Sequence, residues 1–116
     1  MSLYLELPVF KKSYDLVIEL FDLYTNLPKS YKYTLGQRVQ LECVEMIVNI
    51  YKANSHTDKV PYILKIREHV EIIRLMIRIL HDTKQISLKR MILVNKMIEE
   101  ISKQLVGWQK YSEKIG

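Results

Sequence analysis

The sequence predicts an all-α protein folded as an up-down-up-down antiparallel four-helix bundle. Two observations carry that expectation. Only three glycines and three prolines punctuate 116 residues, too few for the many turns of an all-β sandwich. Apolar residues instead recur at three- and four-residue intervals in four long segments, which Pro or small polar clusters separate.

The first helix is expected over residues 9–26. Phe10, Tyr14, Val17, Phe21 and Tyr24 recur at helical spacing, with Ile18 and Leu20 widening the stripe. Pro8 suits a first turn, where no amide donor is needed, and Pro28 disfavours helix at Leu27. The second is expected over 30–54, capped by Ser30. Its apolar face is Leu35, Val39, Cys43, Met46, Ile47, Ile50 and Tyr51. Gly36 inside it costs about 1 kcal/mol relative to Ala, which implies a close backbone approach there.

The third is expected over 59–83, with Asp58 as cap and Pro61 in the first turn. The fourth is expected over 88–113, capped by Ser87. Met91, Val94, Met97, Ile98, Ile101, Leu105 and Trp108 form its core stripe, and Gly107 beside Trp108 suggests a close neighbour. Helices of this length reach about 27–39 Å. Short links between them make sequential helices antiparallel neighbours, in one domain spanning residues 1–116.

Composition narrows the function. Hydrophobic residues are 48% and charged residues 27%, the balance of a globular protein rather than a disordered one. The single cysteine, Cys43, excludes an internal disulfide and fits a reducing cytoplasm. The chain begins without a basic segment followed by an apolar one, so no signal peptide is expected. No stretch approaches a membrane span. The net charge is +5. Residues 1–55 balance, and the whole excess lies in 56–116, which hints at a basic face.

The third helix carries the most information. On a helical wheel Arg67, Glu71, Arg74 and Arg78 fall within roughly 60°. Tyr62, Ile66, Val70, Ile73, Met76, Ile77 and Leu80 cover one apolar arc, and Leu64, Ile72, Leu75 and Ile79 a second. A bundle helix needs one apolar stripe. The second arc is therefore either a surface for another subunit or surplus hydrophobicity. The arginines suit phosphate or carboxylate through their forked donors. They also suit a solvated ladder with Glu71 and Asp82.

Nothing in the sequence supports catalysis. His69 and His81 are about 18 Å apart by helical rise and cannot share a metal, and His56 lies in a turn. There is no Gly-rich phosphate loop and no Ser/His/Asp or Cys/His arrangement. Cys43 reads as an inert core residue. Tyr31 and Tyr33, interleaved with Lys29 and Lys32, either stack bases or anchor a helix start. No enzyme activity, metal, cofactor or small-molecule substrate is expected.

Pro28-Lys29-Ser30 leading to Leu35-Gly36, the run from Ile73 to Leu80, and Ile101 to Leu105 with Gly107 and Trp108 carry a resemblance. Over roughly residues 8–112 they resemble the four-helix-bundle family that includes the accessory variability determinant (Avd) of diversity-generating retroelements. The proteins encoded in 23S rRNA intervening sequences are related. The resemblance implies a homopentamer, a positively charged surface, and binding to RNA or DNA and to the retroelement's reverse transcriptase, in support of mutagenic retrohoming. It matches Arg74 and Arg78 to basic positions of the family's third helix. Arg67, Arg38, Lys84, Lys89 and Arg90 join them as candidate contacts on charge and position, and Leu64, Ile72, Leu75 and Ile79 as the oligomer interface. The alternative is a scaffold bundle of the intervening-sequence type with no nucleic-acid role.

Overall fold

The computed structural model describes residues 3–115. Four long helices account for most of it: α1 (Pro8–Thr25), α2 (Gln37–Ser55), α3 (Val60–Asp82) and α4 (Leu88–Ile115). A 3-10 turn, Tyr4–Glu6, precedes α1. Sequential helices pack side by side, and α4 closes the square against α1. This leaves α1 and α3 diagonal to one another. The bundle measures 46 × 21 × 21 Å, the elongated shape that helices of about five to eight turns impose.

The core draws one stripe from each helix. Leu16, Leu20, Met46, Ile50, Ile66, Ile73, Ile77, Ile98, Ile101 and Leu105 are fully buried. The stripes expected on α2 and α4 are largely those found, except that Tyr51 is exposed. On α1 the expected stripe is rotated. Tyr14, Ile18 and Phe21 are exposed, whereas Val9, Ser13, Leu16, Leu20 and Leu23 point inward with Phe10. Two apolar arcs compete on this helix, and the aliphatic one packs the interior. The aromatic one lies toward α2, where Phe10, Tyr4 and Tyr51 meet edge to face at 5.3 and 5.2 Å.

The lead into α2 is not a simple helix start. A single helical turn, Lys29–Tyr31, runs into a π-helical segment, Lys32–Gly36, and only then into α2. Pro28 occupies the N-cap position and Ser30 is already inside the turn, so Ser30 does not cap. A Cβ on Gly36 would lie 2.9 Å from Tyr24 Cδ2 and 3.1 Å from Leu27 Cδ1. Close approach to α1 is therefore why glycine stands there.

Gly107 differs. No neighbouring atom lies within 4 Å of where its Cβ would be, so the expected close neighbour is not found among the described residues. Lys59, not Asp58, is the N-cap residue of α3, and it makes no side-chain cap bond. Its ammonium instead donates to the carbonyls of Ala53, Asn54 and His56 at 2.8–3.1 Å, closing the end of α2. Ser87 does cap α4, with its hydroxyl accepting from the Arg90 amide at 3.0 Å.

Candidate nucleic-acid interface

The position of the arginine row follows from the core. Ile66, Val70, Ile73 and Ile77 are buried, and the helical repeat then carries Arg67, Arg74 and Arg78 to the edge of α3 beside α4. Arg67 donates to Gln109 Oε1 at 2.5 Å. Arg74 donates to Glu99 Oε1 at 2.5 Å, to Ser102 Oγ at 3.3 Å and to Glu71 Oε1 at 3.3 Å. Both are stays between helices. Arg78 is different: its side chain is 78% exposed and only loosely paired, 3.6 Å from Asp82. With His81, Leu75, Met91 and Asn95 it borders an open groove of about 470 Å³ between α3 and α4.

The other candidates are dispersed. Arg90 holds α4 to α1 through Glu19 at 2.6 Å and Asp22 at 3.1 Å, and donates to the Glu19 carbonyl at 3.0 Å. Arg38 lies on α2, 2.8 Å from Glu42. Lys84 is exposed in the α3–α4 turn with a left-handed φ of 65°, where glycine or asparagine usually stands. Lys89 is exposed at the start of α4. The structure therefore gathers Arg67, Arg74 and Arg78 on one edge and leaves Arg38 and Arg90 elsewhere on the bundle.

Of the proposed interface residues on α3, Leu64 and Leu75 are 49% and 55% exposed. Ile72 and Ile79 are half-buried. A second apolar surface lies on the α1–α2 side, where Tyr14, Ile18, Phe21, Val44 and Tyr51 are exposed.

One basic feature was missed from the sequence. Lys89, Lys96, Lys103 and Lys110 are all exposed on α4. The interval is seven residues each time, so they share one face of the helix. The sequence carries this face as a seven-residue spacing that runs beside the core stripe of α4.

A buried charged cluster joins α2 to α3. Glu42 is 4% exposed, hydrogen-bonded to His69 Nδ1 and accepting from Arg38 Nε at 2.8 Å. Burial alone would raise the Glu42 pKa. The bonds from His69 and Arg38 outweigh it and hold the carboxyl below its usual range. Cys43 beside it is fully buried. Desolvation, reinforced by Glu42, pushes its thiol up to about 12, so it is unreactive near neutrality. Among the described residues, no group of three or more His, Cys, Asp or Glu could hold a metal ion. No described helix is long and apolar enough to cross a membrane.

Fold and surface together define a four-helix bundle with exposed charged and apolar faces. A family model described as bAvd-like matches residues 8–112, and the chain belongs to that family. The family is of the accessory type associated with diversity-generating retroelements. No match was found among curated proteins.

Proposed function

We propose that this chain is a non-catalytic accessory protein of a diversity-generating retroelement, which binds RNA or DNA and the element's reverse transcriptase to support mutagenic retrohoming. Family membership over residues 8–112 carries the reading. Arg78, exposed at the α3–α4 groove, supplies a forked donor for a phosphate or a polymerase carboxylate. Arg74 and Arg67 lie on the same edge. Their pairing within the bundle makes them supports for that surface as much as contacts.

Assembly into a homopentamer is part of the proposal. A ring requires two different surfaces per subunit, each meeting the other kind on its neighbour. The outer arc of α3 and the aromatic side of α1 are two such apolar surfaces, on diagonal helices of the bundle. Five copies would pool about +25 of charge, enough to hold a polyanion at moderate salt.

One observation favours a scaffold role without nucleic acid: four of the five arginines are bonded to residues of the same chain at 2.5–2.8 Å. The discriminating experiment is equilibrium binding of labelled RNA and DNA by the wild type and by Arg78→Glu, with co-purification of the reverse transcriptase from the same locus. Loss of binding in the variant, with helix content intact, supports the proposal. A wild type that binds neither nucleic acid nor polymerase leaves the scaffold reading.

A further inference from the structure

The lysines of α4 form a regular feature that the arginine groove does not explain. Lys89, Lys96, Lys103 and Lys110 stand one above another on a helix running from Leu88 to Ile115. Seven residues advance an α-helix by about 10.5 Å, so the row covers about 32 Å. The drift of about 20° per seven residues keeps all four within roughly 60° of one another. Lys114 continues the same face. None of these lysines makes an ion pair among the described residues.

The acids nearest the row make their ion pairs outside it. Glu99 is taken by Arg74 of α3 at 2.5 Å. Glu100 is taken by Lys12 of α1 at 3.0 Å. Neighbouring helices thus pair with the two carboxylates nearest the middle of the row; Glu100 also feels the charges of Lys96 and Lys103 but is shared with Lys12, so most of the row's charge is left over. Lysine is a point charge on a flexible stem, so such a row follows a phosphate backbone without demanding one base sequence. On that face no aromatic side chain lies between Lys89 and Lys110. Exposed Tyr111 stands at its end, between Lys110 and Lys114, a single ring rather than the series of stacking platforms that holds single strands. One turn of duplex is about 34 Å, close to the length of the row.

We propose that Lys89, Lys96, Lys103 and Lys110 form a straight electrostatic rail that lies along the backbone of a double-stranded nucleic acid and holds it by charge, without reading sequence. The proposal rests on the nucleic-acid reading above. It goes further by placing the principal contact on the outer face of α4 rather than at Arg78.

The test is fluorescence anisotropy of the full chain with a mixed-sequence 20-base-pair DNA duplex and its single strand, across a salt series. The rail variant changes all four lysines to Gln. A control variant changes Lys11, Lys29, Lys52 and Lys65 to Gln, an equal loss of charge from exposed positions elsewhere. The rail variant is expected to bind the duplex at least tenfold more weakly at about 0.1 M salt, with a log–log salt slope shallower by about three to four. The control is expected to stay within about twofold of wild type. Equal weakening of the two variants, or tighter binding of the single strand than of the duplex by the wild type, overturns the rail. A rail variant that binds like wild type while Arg78→Glu does not also overturns it, yet leaves the proposed function standing. A wild type that binds neither strand form overturns the rail, and with it the DNA-binding part of the proposed function.

Discussion

Arg74 of α3 and Glu99 of α4 meet at 2.5 Å, and this contact decides how the arginine row works. The same guanidinium reaches Glu71 at 3.3 Å and Ser102 at 3.3 Å, so three of its neighbours depend on it. An arginine so engaged fixes the spacing of two helices before it can serve any ligand. Replacing it with Glu would set a third carboxylate beside Glu71 and Glu99.

Arg74→Ala is therefore expected to lower stability by about 1 kcal/mol, a modest amount because the pair is partly solvated. Arg78→Ala, whose side chain is more exposed and 3.6 Å from its one ion-pair partner among the described residues, is expected to change stability by less than about 0.5 kcal/mol. Urea denaturation of the two variants checks this contrast. Equal losses would mean that Arg78 also serves the fold.

The Glu42 cluster makes stability depend on acid. Its folded-state pKa is depressed, so it contributes stability above the ordinary carboxylate value and loses it as pH falls through the folded value. Glu42→Gln is expected to cost about 3 kcal/mol at neutral pH. It is also expected to flatten the decline of thermal stability below about pH 4.5. Parallel acid profiles for variant and wild type would remove Glu42 as the source.

The two helical glycines should respond in opposite directions. Gly36→Ala forces a methyl against Tyr24 and is expected to destabilise by about 1–3 kcal/mol. Gly107→Ala meets only open space and is expected to stabilise by about 0.5–1 kcal/mol through reduced chain entropy. Thermal denaturation distinguishes the signs.

The exposed arc of α3 sets a test of assembly. If the proposed ring forms through this arc, Leu75→Glu is expected to shift the assembly toward monomer with unchanged helix content, because a charge at an apolar interface is left without a partner. Light scattering measures this. An unaltered mass for Leu75→Glu would move the interface away from that arc.

Four helices, their order and most of the core were legible in the sequence, because Ile and Leu at 3.6-residue spacing admit few other folds. The rotation of α1 was not. Tyr14, Ile18 and Phe21 obey the same period as Leu16, Leu20 and Leu23, and periodicity alone does not say which arc faces inward. The π-helical segment at Lys32–Gly36 was hidden as well, with Gly36 its only trace. The arginine row was legible as a row. Its pairing with Glu99 and Gln109 depends on how α4 docks, which helix-by-helix reading does not supply. The lysine row was written in plain seven-residue steps and needed only the outer face of α4 to be read as closely as its core face.

On the proposed function, this bundle holds nucleic acid through its basic surface. The most direct measurement is the salt dependence of wild-type binding to a labelled duplex. The account predicts binding that weakens steeply and linearly on a log–log plot, with a slope of at least about −3. Absence of binding at about 50 mM salt, where screening is weak, would contradict it.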